Sequence, residues 1–221
     1  MEEINMVGAE SPVGGSLVVG VPPVKPVEDL ARDFWREIYG EESDIPACPW
    51  LKAVPVGFIP IYIHPDVGLK ELAQAITELA LPSESSRNEY ASKMVLAWVE
   101  LNKQILESSG PFQSGWFLTE TDPLSLCRGK LRKSIHAELS KRGATMMDIK
   151  AYLAWVLWFY KTNKNWPDTT GSTELATIWQ GGNLLVGWGS SGNFHADKRS
   201  IDADAPYTGI GVRSLVPSPT N

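Results

Sequence analysis

The run Met146 to Tyr160, MMDIKAYLAWVLWFY, constrains the fold more than any other stretch. Almost every position after Lys150 is apolar. A helix that is hydrophobic on all sides has to be surrounded by other elements. The run is too short for a bilayer, which needs about 20 apolar residues. A continuous apolar run without a turn signal fits a helix better than a strand. Thr145 stands as N-cap with Asp148 in the first turn. Trp155, Trp158, Phe159 and Tyr160 then fill space that neighbouring helices must enclose. The expected architecture is mainly α: a helical bundle core with extended N- and C-terminal arms.

The 221 residues suit one domain with arms and are enough for a substantial core. A formal charge of −6 indicates an acidic, soluble chain without a global basic field. Cys48 and Cys127 have neither zinc-site nor disulfide-scaffold spacing and read as reduced thiols of a cytosolic protein. Acidic residues occupy the N-terminus where a signal peptide would be basic, so secretion is not expected. No segment is long enough to span a membrane. Nine tryptophans suit both a core and a protein interface.

Three regions follow. Residues 1–25 form an N-terminal arm whose SPVGGSLVVGVPPVKP stretch is almost uncharged. It cannot build a core alone, yet Leu17, Val18, Val19 and Val21 are apolar enough to lie on another surface. Residues 26–179 form the helical core. Pro26 opens a helix with Val27, Leu30, Ala31, Phe34, Trp35 and Ile38 as its stripe, and Gly40 ends it. Prolines punctuate Glu41 to His64, where Phe58 to Ile63 admits at most one short edge strand. A helix runs from about Asp66 to Ala80. Ser86 and Glu89 cap another, whose packing stripe is Tyr90, Met94, Trp98, Leu101 and Ile105. Asp122 and Pro123 start the next, which Gly143 closes, and it should lie antiparallel to the central helix. Residues 180–221 form a glycine- and proline-rich region whose last twenty or so residues are a second arm.

The helix from 123 to 142 carries the one marked charge feature: Arg128, Lys130, Arg132, Lys133, Lys141 and Arg142 against Glu138. At 100° per residue the arginines flank the apolar stripe of Leu124, Cys127, Leu131, Ile135 and Leu139, while the lysines point outward. Guanidinium forks and ammonium charges suit phosphates, and single-stranded RNA draws affinity from such contacts without sequence readout. The loop before this helix contributes Trp116 and Phe117 as a stacking surface. The RNA-binding set is therefore Arg128, Arg132, Lys130, Lys133 and Trp116. The competing reading is a solvated basic face paired with acidic neighbours.

Other constellations are weaker. His64 with Asp66 and His195 with Asp197 repeat a His-x-Asp pattern that would hold a metal only if the two loops met. Gly181 to Gly192 lacks the Gly-Lys-Ser of a phosphate loop, and Ser190 and Ser191 lack a nucleophile-elbow frame. His136 reads as a surface residue. No cofactor, metal or catalytic group is assigned.

The region from Lys70 to Pro167 resembles the helical core of coat proteins from flexuous filamentous plant viruses of the potexvirus type. The residues concerned are Leu69 to Leu79, Met94 to Trp98, the break at Ser108 to Phe112, Cys127 to Leu131, and Lys150, Trp155, Trp158, Thr162, Asn163, Asn165 and Trp166. The resemblance implies a capsid subunit of the virion and host cytoplasm that polymerises around single-stranded RNA. It implies an RNA-contacting role for Arg128, an N-terminal arm docked on a neighbouring subunit, and a C-terminal region facing the filament interior. The family carries an aspartate after the tryptophan turn, whereas here the acid of STELATIWQGG is Glu174.

The leading expectation is thus a self-assembling, RNA-packaging coat or nucleocapsid protein. The alternatives are a non-enzymatic helical interaction module and, third, a small metal-dependent enzyme built on the two His-x-Asp pairs.

Overall fold

The computed structural model describes residues 25–40, 44–50, 54–80, 86–122, 126–189, 193–200 and 209–218. These residues form five helices and eight strands, so the mainly α expectation is overturned. The helices are α1 (Val27–Tyr39), α2 (Leu69–Ala80), α3 (Ser86–Glu107), α4 (Arg132–Lys141) and α5 (Ile149–Asn163). The strands are β1 (Phe58–Ile63), β2 (Gly115–Glu120), β3 (Thr145–Met146), β4 (Ser172–Trp179), β5 (Gly182–Trp188), β6 (Phe194–Ser200), β7 (Ile210–Val212) and β8 (Ser214–Pro217). One sheet has the order β1-β2-β8-β3 and is antiparallel throughout. The other has the order β6-β5-β4-β7, with β4 and β7 parallel.

The central run does form a buried helix, α5, and ten of its residues from Ile149 to Phe159 are buried. Its surroundings are not a bundle. It packs on α2, β1 and β4, so sheets supply much of the enclosure. Its N-cap is Asp148, whose carboxylate accepts from the Ala151 amide at 2.8 Å, while Thr145 belongs to β3. Lys164, in the left-handed region at φ 57°, closes its C-terminus.

The helix starting after Pro26 and ending at Gly40 forms as expected, and Gly40 adopts φ 79°. β1 is an edge strand, consistent with Pro60 inside it. The α3 stripe turns out differently. Val95, Val99 and Leu106 are buried, whereas Leu101 is 85% exposed, Ile105 41% and Met94 40%. Most of the apolar stripe read from the sequence therefore faces solvent, and a smaller aliphatic stripe faces the core.

The glycine- and proline-rich region contributes β5 and β6 to the sheets, and the last twenty or so residues, expected as an arm, contribute β7 and β8. Gln180 and Gly181 both have positive φ, 49° and 76°, in a tight hairpin that pairs Trp179 with Gly182. β5 is buried along its whole length. Residues 1–24 of the expected N-terminal arm lie outside the described residues.

Many of the tryptophans form a continuous aromatic seam rather than an outer surface. Trp166 stacks on Trp188 at 4.4 Å, Trp188 meets Phe194 at 5.3 Å, and Phe194 meets Trp98 at 5.4 Å. α3 thereby packs against β4 and β6 of that sheet.

The sheets are joined at Arg213, between β7 and β8. Its side chain is fully buried, pairs with Asp168 at 2.8 Å and lies 4.1 Å over the Trp155 ring. Asp168 also accepts from the hydroxyls of Thr173 at 2.8 Å and Tyr152 at 3.1 Å. Burial and the Asp168 charge hold the Tyr152 hydroxyl well above its ordinary pKa.

Candidate nucleic-acid interface

The helix read as 123–142 is shorter than its hydrophobic pattern suggests. Cys127 (φ 58°) and Gly129 (φ 72°) place a turn where the pattern continued, and α4 begins only at Arg132. Its inward residues Ile135 and Leu139 join Ala144, Met146 and Val212 in a satellite core. α4 therefore packs beside β3 and β7 residues instead of lying antiparallel to α5.

This placement divides the six cations. Arg128 lies in the turn before α4, where Nη1 donates to the Thr170 hydroxyl at 3.0 Å and Nη2 to the Thr170 carbonyl at 2.5 Å. Gly171 allows this approach, since a Cβ there would come within 2.6 Å of Nη2. Arg132 turns inward to Glu174 at 3.0 Å and donates to Asn183 Oδ1. Glu174 is 1% exposed and also holds the buried Arg199 at 2.7 Å. Asn183 donates to the Leu175 carbonyl at 2.8 Å, which fixes its amide. Arg142 pairs with Glu138 at 2.7 Å, and that guanidinium holds the Glu138 carboxyl below its usual range. Arg128 and Arg132 are thus built into the fold, whereas Arg142 stays exposed at the end of α4, paired within the helix.

Lys130, Lys133 and Lys141 are exposed. Lys130 and Lys141 line a shallow trough on one flank of α4 with Ser134, Ala137 and Glu138. On the other flank, Arg132, His136, Ser140, Thr145, Ile178 and Asn183 border a cavity of about 470 Å³ between α4 and β4–β5.

Trp116 does not join this surface. It lies in β2, is buried, and donates its indole N–H to the Pro46 carbonyl at 2.8 Å. Its neighbour is Tyr62 at 5.3 Å, so it offers no open face for stacking. The structure therefore brings Arg128, Lys130, Arg132 and Lys133 to one region and places Trp116 in the core.

The two His-x-Asp pairs belong to different sheets. His64 follows β1 and is enclosed by Trp35, Tyr39 and Tyr62, with its Nδ1 accepting from the Asp66 amide at 3.2 Å. Burial holds its pKa below the ordinary histidine value, against the opposing pull of Asp66. His195 lies across β5 and meets the Ser172 hydroxyl at 3.2 Å. A Cβ at Gly187 would come within 2.5 Å of that ring. Among the described residues, no group of three or more His, Cys, Asp or Glu side chains is arranged to hold a metal ion. Nor is any helix among them long and apolar enough to cross a membrane.

Sequence reasoning did not identify the partners of the arginines, Glu174, Asn183 and Thr170. The signal available for Glu174 was an acid in an otherwise apolar, strand-like stretch. Such a residue is buried only when paired. No family model, characterised protein or solved structure matches the chain.

Proposed function

We propose that this protein is a non-enzymatic structural subunit that self-associates and holds single-stranded RNA, in the manner of a viral coat or nucleocapsid protein. The observation carrying the reading is the division of labour at α4: Arg128 in the preceding turn and Arg132 on the helix tie it to the body, while Lys130, Lys133 and Lys141 are exposed around it. Ammonium groups on a rigid helix suit a phosphate backbone, as point charges without base readout. The acidic net charge is compatible with this, because binding depends on the local field and screening acts over about 8–10 Å. The exposed Met94, Leu101 and Ile105 on α3 give the same molecule an apolar face for assembly. Assembly multiplies weak RNA contacts over many subunits.

Anisotropy of a labelled oligouridine titrated with the full chain, at several salt concentrations, tests the RNA part. The expected result is salt-sensitive binding that weakens at least tenfold in Lys130→Ala/Lys133→Ala/Lys141→Ala, with the circular dichroism unchanged. Equal affinity in the triple variant would remove α4 from the interface. Absence of any RNA binding, combined with a discrete protein complex, would favour the interaction-module reading that the α3 face also supports.

A further inference from the structure

Two apolar faces of the molecule are open, and their shapes are complementary. The convex one is the outward stripe of α3, where Leu101 is 85% exposed, with Ile105 one turn after it and Met94 two turns before it on the same side. The concave one is a groove of about 170 Å³ between α1 and β1, lined by Leu30, Phe34, Ile59, Ile61 and Trp158. Leu30 is 52% exposed at its margin. An apolar cavity of about 150 Å³ admits a benzene-sized group, so this groove takes the end of an aliphatic side chain. It is a seat for side chains only. Phe58 donates its N–H to the Pro55 carbonyl, Pro60 has none to give, and the Trp35 indole occupies the Tyr62 carbonyl. α2 packs against both α1 and α3, and the groove shares no residue with the α3 stripe.

We propose that the α3 stripe of a second copy of this chain occupies the groove, with Leu101 as its knob, so that copies join head to tail. This contact gives the self-association of the preceding reading its surfaces; it rests on that part of the reading and needs no RNA. Three observations select the occupant. First, like faces do not match. Two grooves leave a void between them, and two stripes paired about a two-fold bring Glu100 of both copies to the same flank. Second, both rims are charge-balanced. Lys70–Glu100 at 3.3 Å and Lys103–Glu107 at 3.8 Å border the stripe, while Lys25–Asp33 and Lys161–Glu37 lie on the α1 side of the groove. Neither face repels the other, and neither draws a strongly charged partner. Third, the stripe from Met94 to Ile105 is about 17 Å long and the helical wall of the groove, Val27 to Trp35, about 12 Å, so one lies along the other. Such a strip covers roughly a few hundred Å² per partner, below the 800 Å² or so of a standard stable interface, so each contact is weak. Every pair leaves one stripe and one groove open, and the contact therefore propagates beyond a dimer.

Sedimentation velocity of the full chain, freed of nucleic acid by nuclease, tests it over a hundredfold range of concentration. The wild type should associate as concentration rises and pass beyond a dimer. Leu101→Glu and Leu30→Glu, each at an exposed position, should separately weaken association at least tenfold with the circular dichroism unchanged. Met94→Glu, on the same stripe, should act as Leu101→Glu does. The Leu101→Glu copy keeps its groove and the Leu30→Glu copy keeps its stripe, so an equimolar mixture of the two should form a one-to-one dimer that grows no further. Association untouched by all three variants would overturn the proposal and leave self-association through another surface. Variants that stay monomeric when mixed would also overturn it, as would a wild type that stops at a two-fold dimer. A wild type that is monomeric throughout would overturn both this contact and the self-association it rests on.

Discussion

Replacing Asp168 with asparagine leaves the Arg213 guanidinium fully buried without its carboxylate. Arg213 would keep its Nη1 bond to the Asp122 carbonyl and its seat over Trp155. Neither contact supplies a countercharge. Breaking a buried pair from one side costs about 3–5 kcal/mol. A domain of ordinary stability has about 5–15 kcal/mol in total, so the variant loses between a fifth and all of it. For a chain of this size each kcal/mol lowers Tm by about 2–4 °C, which gives a fall of about 6–20 °C. Urea titration followed by tryptophan emission is a suitable assay, because Trp155 lies directly under the cation. The pair is isolated by a double-mutant cycle with Arg213→Met. The double variant should be about 2 kcal/mol more stable than the two single losses added together, because it no longer buries an unpaired charge. It should not regain wild-type stability, since the Asp122 carbonyl loses its donor. A coupling energy under about 0.5 kcal/mol would refute the assignment of this ion pair as the junction of the two sheets.

Three more outcomes are expected. His64 has a folded pKa below its unfolded value, so the native state favours the neutral ring. Its contribution is complete above about pH 6.5 and falls as pH drops from there toward the lower folded value. His64→Gln should flatten the stability profile in that window, as seen by urea titrations at successive pH values, and an unchanged slope would exclude His64 as a source. Gly187→Ala should destabilise by about 1–3 kcal/mol, because the new Cβ meets the Gly171 carbonyl at 2.6 Å as well as the His195 ring. Thermal unfolding reads this directly. On α3, Leu101→Ala should change stability by no more than about 0.5 kcal/mol, whereas Val99→Ala should cost more than about 1 kcal/mol. The reverse ranking would mean that the helix faces the other way.

Local signals with a single mechanism were readable in the chain. Proline at the start and glycine at the end marked α1, the uniform apolarity of α5 marked a surrounded helix, and Pro60 marked an edge strand. The errors arose where two physical causes share one signature. Met94, Leu101 and Ile105 have the spacing of a buried stripe with Trp98, but spacing does not say which members of an apolar stripe are covered, and only Trp98 packs inward. The rival stripe of Val95, Val99 and Leu106 is equally regular, with smaller residues. The glycines from 181 to 192 left that segment undecided between hairpin, loop and packing surface, because a strand buried along its whole length, like β5 after the Gln180–Gly181 turn, shows no alternation. The basic run suggested an open arginine groove because the residues that close it, Glu174, Asn183 and Thr170, come from more than forty positions later. Trp116 lies in the short run Trp116–Phe117–Leu118, which reads as a loop although Trp116 and Leu118 alternate as buried strand positions. Its enclosure comes from Pro46 and Tyr62, also distant in sequence.

The passage from β7 to β8 through a single residue also bears on when the molecule can fold. β7 completes the parallel edge beside β4, and β8 lies between β2 and β3. Neither sheet can reach its final order until the stretch around Ile210–Pro217 is available, and β2 and β3 have no direct partner in each other before then. A chain still being synthesised would hold α5 with one flank unsealed and its aromatic residues accessible. Long-range closure of this kind slows folding and exposes sticky surface during the wait. Synthesis rate and early chaperone occupancy, rather than final stability alone, should therefore govern how much of this protein is recovered in native form.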